Sequence, residues 1–226
     1  MNLLAVETST ELCSVALLRG EELFVEEIHA PNRHAERVMA LIARAFERAH
    51  LAPRGMDAFA FGQGPGSFTG IRIACGVIQG LALGAAKPVI AVPSLLALAE
   101  QANESRVIAG IDARLGEAWL AAYSRMGGDW QAVIEPVLAL EGALPPLPGH
   151  SWVATGSGFD TFAWLRGAYG ASVGHRIEGD LPRAGSVVRI AARRLARGEV
   201  LAPEAAAPLY LREKVAHTTN ERQARP

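Results

Sequence analysis

The chain has 226 residues, half of them hydrophobic and 20% charged, with a formal net charge of -1 at neutral pH. Its length suits one large globular domain or two small ones, and its near-neutral charge excludes a whole-protein attraction for nucleic acid or an anionic membrane. The two cysteines are too few for a disulfide framework and do not have the spacing of a zinc site. Because the N-terminus has neither a basic flank nor a long apolar run, we expect a cytoplasmic protein that does not contact a membrane.

The first hundred residues predict a meander of three strands, followed by helices that alternate with two more strands. The strands are short apolar runs separated by turns, at residues 3–6, 14–18, 23–25, 58–61 and 89–92. A helix fits residues 35–49, where apolar side chains recur at helical spacing. A second helix, at about 67–84, is rich in glycine and alanine and is nearly free of charge after Arg72. Such a smooth helix lets another backbone come close, either within the fold or from a partner.

The same pattern then begins again. A buried strand ends at an acid, Asp112, as the first strand ends at Glu7. The later elements are three strands and a helix, at residues 117–123, 131–137, 152–155 and 184–197. Two meanders that each begin with an acid-tipped strand predict an α/β fold of two duplicated halves, the organisation of the actin-like ATPase superfamily (the ASKHA, or RNase H-like, fold). We expect the halves at residues 1–100 and 101–216, and a disordered tail at 217–226.

Positive charge is concentrated towards the C-terminus. Residues 183–226 hold nine Lys and Arg against four Asp and Glu, a net charge of +5, which leaves -6 on the rest of the chain. Such a stretch is compatible with a tRNA contact, but a solvated helix face is the more common reason for it. The four-residue spacing of Arg189, Arg193 and Arg197 accordingly predicts a solvated stripe.

The most informative stretch runs from Gly62 to Gly70, GQGPGSFTG, between a strand and a helix. Its four glycines expose backbone N–H groups to which a phosphate binds readily. Three familiar motifs nevertheless fail: a P-loop needs a lysine, a dinucleotide fingerprint needs glycine at Thr69, and a nucleophile elbow centred on Ser67 needs glycine at Pro65. A tight turn with close helix packing explains the glycines equally well, so both interpretations stay open.

Five segments together resemble one family. GQGPGSFTGIRI is similar to the signature of the TsaB (YeaZ) family, which belongs to the same superfamily as the transferase TsaD. The segments LLAVETSTELCSVAL, NRHAERVMALI, IDARLGEAW and PLYLREKVA resemble other parts of that family, in the right order from Leu3 to Ala216. One departure is Glu7, where the family pattern leads us to expect Asp.

The resemblance also indicates where a catalytic relative would hold its metal. TsaD-type enzymes carry a His-x-x-x-His pair after the strand that ends their glycine-rich half, and the matching positions here are Ser94 and Leu98. Leucine cannot ligate a metal, and a lone serine hydroxyl is a poor ligand for iron or zinc. We therefore expect no metal site, no catalytic residue and no cofactor in this chain, with ATP or ADP only at an interface within a complex.

A surface for a partner is also implied by the resemblance. In this family the same helical region pairs two copies of the chain, or one copy with TsaD. The predicted interface residues lie on or beside the two N-terminal helices: His34, Val38, Met39, Ile42, Phe46, Gly70, Ile73, Gly76, Val77 and Gly80. The residues predicted to face a phosphate, as a vestige of the superfamily's nucleotide site, are Glu7, Thr8, Ser9, Gly64, Gly66 and Ser67.

The function that the resemblance implies is that of a non-catalytic subunit required for threonylcarbamoylation of adenosine 37 in tRNA (t6A37). Such a subunit binds and supports TsaD together with the small ATPase TsaE, forms a homodimer when TsaD is absent, and meets tRNA indirectly through the complex. The alternatives are a free-standing ATP-binding enzyme of the actin-like fold and, less favoured, a peptidase, for which the sequence has no Ser–His–acid or His-x-x-x-His pattern.

Overall fold

Two sheets organise the chain. In the computed structural model, which describes residues 1–212, ten strands form two five-stranded mixed sheets. The strands of the first sheet are β1 (Asn2–Glu7), β2 (Leu12–Arg19), β3 (Glu22–His29), β4 (Ala58–Gly64) and β5 (Val89–Pro93). The strands of the second are β6 (Arg106–Arg114), β7 (Glu117–Met126), β8 (Asp129–Ala139), β9 (Trp152–Thr155) and β10 (Val173–Ile177). The helices are α1 (His34–Ala49), α2 (Phe68–Ala85), α3 (Ser94–Ala102), α4 (Ser157–Thr161), α5 (Ala163–Tyr169) and α6 (Ala184–Ala196).

The two sheets have the same topology. Their strand orders are β3-β2-β1-β4-β5 and, read in the same sense, β8-β7-β6-β9-β10. In each sheet the first strand is antiparallel to the second and parallel to the fourth. Tight turns suffice for the antiparallel pairs, whereas the parallel pairs need the longer crossovers that contain the helices. This shared order confirms the predicted duplication of an α/β unit.

Side chains of the first sheet alternate between its two faces, as strand geometry requires. Leu4 and Val6 of β1 pack towards α1 and α2, whereas Leu3 and Ala5 point the other way into a core shared with the second sheet. The helices α3 and α6 fill that shared core, and α4 and α5 cover the far face of the second sheet. The fold is therefore five layers deep, with two helices between the sheets.

The helix α6 belongs to the second half of the sequence but packs on the first sheet, across β1, β2 and β4. On its other side Arg193 donates two hydrogen bonds, of 2.7 and 3.0 Å, to the buried carboxylate of Glu100 on α3. The same carboxylate accepts a 2.6 Å hydrogen bond from Trp130 Nε1. The predicted solvated stripe is thus wrong at Arg193, because a buried carboxylate needs a cationic partner.

Four elements, α3, α4, α5 and β10, have no counterpart among the predicted ones. The helix α3 follows β5 directly, and its sequence SLLALAEQA is buried along most of its length, so it lacks the polar side of a surface helix. Because α4 and α5 have only five and seven residues, neither is long enough to establish a helical period. The predicted tail at 217–226, and the end of the predicted C-terminal half, lie outside the described residues.

The helix α2 has an unusually apolar exposed side. Within residues 1–212 it is the one helix long and apolar enough to cross a membrane by length and composition alone, and 33% of it is buried in the fold. Its inner side contacts β1, β4 and β5. A helix that packs on a sheet with one side and exposes glycine and apolar residues on the other has a surface suited to further packing.

Candidate functional site

The carboxyl group of Glu7 fills the space at the end of β1. It is fully buried, and it accepts hydrogen bonds from the Ser9 backbone N–H at 2.6 Å and from the Ser94 hydroxyl at 2.8 Å. Burial raises the pKa of this carboxyl above its ordinary value, and the hydrogen bonds from Ser9 and Ser94 oppose part of the rise. A β-carbon at Gly62 would overlap the carboxylate. Glu7 therefore takes up the side-chain space of Gly62 and links β1 to the start of α3.

The glycine-rich loop packs closely against the turn that follows β1. The Ser67 backbone N–H donates to Ser9 O at 2.7 Å, and Thr8 Oγ1 donates to Gly70 O at 2.8 Å. A β-carbon at Gly66 or Gly70 would overlap Ser9 or Thr8. These contacts favour the packing interpretation of both glycines, because each leaves room for the backbone of the neighbouring turn.

The six residues predicted to face a phosphate lie together where β1 and β4 end. Ser67 is exposed and accepts a 3.4 Å hydrogen bond from the Gly70 N–H, so it caps the start of α2. Gly64 has a φ of +97°, a conformation that favours glycine. Within the described part of the chain, the buried hydroxyls of Ser9 and Thr10 have no hydrogen-bond partner. The cluster is compact, and its contact with a phosphate stays a prediction.

The second half repeats the geometry of the first at Asp112. The Arg114 backbone N–H donates to Asp112 Oδ1 at 2.7 Å, as the Ser9 N–H donates to Glu7 two residues before it. Arg114 Nη1 also donates to Asp112 Oδ2 at 3.1 Å, so the carboxylate orients this arginine. The two acid-tipped strands therefore share a local turn, although Asp112 stays partly exposed and Glu7 is sealed.

Ser94 and Leu98, the positions that correspond to the metal ligands of the catalytic relatives, are both fully buried on α3. Leu98 packs in the core shared by the two sheets, and the Ser94 hydroxyl is engaged by Glu7. Among residues 1–212 no three His, Cys, Asp or Glu side chains come together as metal ligands. In this region the side chains serve packing and hydrogen bonding.

The residues predicted for the partner surface separate into two groups. The buried group lies on the sheet side of α1 and at the start of α2: His34, Val38, Ile42, Phe46 and Gly70. The exposed or half-buried group is Met39, Ile73, Gly76, Val77 and Gly80. A partner can reach only the second group without opening a close-packed core. The predicted surface is thereby reduced to the outer faces of α1 and α2, and its occupancy by a partner stays a prediction.

The outer faces of α1 and α2 also contain exposed residues that were not included in the predicted interface. On α1 the exposed Ala35 and Ala43 flank Met39 at four-residue spacing, and on α2 the exposed Leu83 and Gly84 extend the row that begins at Ile73. The four-residue spacing of small residues was the available signal, since positions i and i+4 share one helix side. We call the combined surface, the exposed sides of α1 and α2, the helical face.

A second missed feature is the C-terminal segment, residues 206–212, which crosses from the first half to the second. The Leu209 N–H donates to Gln63 O at 2.7 Å beside the glycine-rich loop. Further on, Arg212 donates to Ala113 O at 3.1 Å and pairs with Glu117. The Tyr210 hydroxyl accepts a 2.7 Å hydrogen bond from Arg72 Nε. Because 138 positions separate these two residues, their spacing in the sequence does not predict the contact.

Comparison with known proteins agrees with this architecture. A family model described as TsaD, tRNA N6-adenosine threonylcarbamoyltransferase, matches residues 27–161. The tRNA threonylcarbamoyladenosine biosynthesis protein TsaB of Escherichia coli is 37% identical, with 96% of each chain covered. The chain belongs to the TsaB family. The TsaB protein of Haemophilus influenzae is 34% identical, with 95% of each chain covered.

A solved structure of a TsaB-like protein supports the fold. A Pseudomonas aeruginosa protein with similarity to the peptidase YeaZ superposes with a TM-score of 0.85 at 35% identity, covering 93% of this chain and 99% of that one. The predicted TsaB (YeaZ) resemblance and the actin-like fold of two duplicated halves are both confirmed by these similarities together with the sheet topology.

Proposed function

We propose that the chain is a non-catalytic subunit required for threonylcarbamoylation of adenosine 37 in tRNA. The observation that carries the proposal is similarity over nearly the whole chain to bacterial TsaB proteins named for tRNA threonylcarbamoyladenosine biosynthesis. We also propose that the chain is cytoplasmic.

Two features favour support over catalysis. The positions that correspond to the metal ligands of TsaD-type enzymes are Ser94, whose hydroxyl is bound to Glu7, and Leu98, which lies in the core. In addition, the Glu7 carboxyl and the turn after β1 fill the side-chain space beside the glycine-rich loop. The transfer of threonylcarbamoyl to N6 of the adenosine then belongs to the partner, TsaD, and this chain has no catalytic residue of its own.

The helical face is the surface that we assign to TsaD. No atom lies within 4 Å of the position that a β-carbon would take at Gly76 or Gly80, so a partner helix can approach the α2 backbone closely. Met39, half exposed at 51%, supplies an apolar side chain on the neighbouring helix. By linkage, a subunit that binds only the competent state of an enzyme stabilises that state. TsaE acts with the assembled pair, the same face forms a homodimer when TsaD is absent, and tRNA is met through the complex.

Reconstitution of the modification reaction tests the proposed function. TsaD, TsaE and threonylcarbamoyl-adenylate are incubated with unmodified tRNA, with and without this chain, and t6A37 is quantified by mass spectrometry of the digested tRNA. We expect modification to depend on the chain; undiminished TsaD activity without it refutes the supporting role. Calorimetric titration of the purified chain with ATP tests the alternative function, a free-standing ATP-binding enzyme. Such an enzyme binds ATP without a partner, so heat of binding in this titration would favour the alternative.

Charged substitutions on the helical face test the pairing. Gly76→Arg and Met39→Glu should each abolish pairing with TsaD in analytical ultracentrifugation while the isolated chain keeps its far-UV circular dichroism spectrum, because both sites are exposed. Ala168→Arg, an exposed position on α5 beyond the second sheet, is the matched control and should pair normally. Pairing that survives both substitutions on α1 and α2 removes the helical face from the proposal.

A further inference from the structure

An arginine at the edge of the helical face packs against two aromatic rings that also contact each other. Arg72 lies one turn after Phe68 on α2, and its guanidinium carbon stands 3.6 Å from the centre of the Phe68 ring. Tyr210 of the C-terminal segment lies beside both groups, with its ring centre 5.5 Å from the same carbon and 5.9 Å from the centre of the Phe68 ring. Arg72 Nε donates a 2.7 Å hydrogen bond to the Tyr210 hydroxyl. The three side chains, which we call the arginine stack, come from two distant parts of the sequence.

The arginine stack leaves most of its hydrogen-bonding capacity unused. Of the guanidinium nitrogens, only Nε has a hydrogen-bond partner within residues 1–212, and no carboxylate in that range forms an ion pair with Arg72. The two terminal nitrogens carry four N–H groups in a planar fork, the geometry that binds a carboxylate through two parallel hydrogen bonds. Because stacking and the Nε bond already fix the side chain, less conformational entropy is lost when the fork is occupied.

Within residues 1–212, the surroundings of Arg72 favour a protein carboxylate over nucleic acid. Arg72 is the only charged residue of α2, and the exposed positions that follow it on the helix are small or apolar. The next arginines along the C-terminal segment and the β6–β7 turn, Arg212 and Arg114, are already paired with Glu117 and Asp112. A phosphate backbone is bound by several unpaired cations in a row. In protein interfaces, by contrast, a single arginine surrounded by apolar groups often contributes much of the binding energy.

We propose that the arginine stack binds an Asp or Glu side chain of TsaD, and that this contact is an anchor of the interface at the end of the helical face nearest the C-terminal segment. The inference rests on the proposed function, since it assumes that TsaD covers the helical face. It adds the partner chemistry, a carboxylate opposite Arg72. It also makes the second half of the chain contribute, through Tyr210, to a surface otherwise built from the first half.

Affinity measurements on the complete chain with TsaD, in the absence of tRNA and nucleotide, test the anchor. Arg72→Gln removes the charge and the fork, and should weaken binding about 30-fold, the size typical of an arginine that carries much of the binding energy. Arg72→Lys keeps the charge without the fork and should lose roughly 10-fold. Tyr210→Phe keeps the ring but removes the acceptor of the Nε bond, and should lose about 3-fold. Arg54→Gln, at an exposed arginine before β4, is the matched control and should bind as the unchanged chain does.

Ionic strength gives an independent measurement. Added salt should weaken the unchanged chain more than Arg72→Gln, because the variant has lost a charge pair. Arg72→Gln binding that equals the control, while Gly76→Arg abolishes binding, overturns the anchor and leaves the proposed function in place. No TsaD binding by the unchanged chain overturns both. Normal TsaD binding by Arg72→Gln with weakened tRNA binding in a gel shift also overturns the anchor, since Arg72 would then serve nucleic acid.

Discussion

The substitution Gly70→Ala measures how firmly α2 is fixed on the turn after β1. A β-carbon at this position would lie 2.0 Å from the carbonyl oxygen of Thr8, whereas carbon–oxygen contacts are normally about 3.3 Å or longer. The start of α2 would have to move away by more than about 1 Å to relieve the overlap. That movement breaks the 2.8 Å hydrogen bond from Thr8 Oγ1 to Gly70 O, which is buried.

Three effects set the size of the change. Overpacking of a close-packed region costs about 1–3 kcal/mol, and loss of the buried hydrogen bond costs roughly 0.5–1.5 kcal/mol more. The better helix propensity of alanine returns roughly 0.5–1 kcal/mol. We therefore expect Gly70→Ala to lower the free energy of unfolding by about 2 kcal/mol.

Urea unfolding followed by far-UV circular dichroism gives the comparison, with Gly80→Ala as the control on the same helix. A β-carbon at Gly80 has no atom within 4 Å, so this variant should gain roughly 0.5–1 kcal/mol from propensity alone. The two Gly-to-Ala changes should thus shift the midpoint in opposite directions at an unchanged slope. Equal stability of the two variants would refute the close packing of α2 on the turn.

Three further outcomes are expected. Since the raised pKa of Glu7 makes the folded chain hold a proton to higher pH than the unfolded chain, stability should fall as pH rises from the ordinary carboxyl pKa through the folded one. In Glu7→Gln, the free energy of unfolding from urea titrations should not fall over this pH range. A fall as large as that of the unchanged chain would contradict the assignment of the pH dependence to Glu7. Glu100→Ala should cost about 3 kcal/mol in unfolding experiments by leaving its arginines unpaired, whereas the exposed Glu22→Ala should cost under about 1 kcal/mol; equal costs would argue against the buried network. Gly80→Ala, although stabilising to the isolated chain, should weaken TsaD pairing in ultracentrifugation, and unchanged pairing would place the contact elsewhere.

Much of the fold follows from local patterns in the sequence. Apolar alternation and acid-tipped strand ends at Glu7 and Asp112 predict the duplicated meander, because both signals are local. The helix α3 was not predicted, because a helix that is buried on most sides has no periodic polar face in its sequence. The ion pair of Arg193 with Glu100 was not predicted for a different reason. The two residues are 93 positions apart, and only the packing of α6 beside α3 brings them together.

The candidate site was predicted less completely than the fold. Helical spacing places Val38 and Met39 on the same helix, but it does not say which side faces the sheet, and the structure buries Val38 and exposes Met39. Composition identified the loop glycines as candidates for phosphate contact or close packing. The close packing became visible only in the structure, where the backbone of Thr8 and Ser9 lies against Gly70 and Gly66. The arginine stack had no local signature at all.

The two helices enclosed between the sheets have a consequence for motion. Proteins whose lobes close around a ligand by hinge bending need a thin, weakly packed junction between those lobes. Here Leu95, Leu98 and Val187 lie in the apolar layer that joins the lobes, so rotating one against the other would open voids in a close-packed interior. We therefore expect the two halves to move as one rigid body when a partner binds at α1 and α2.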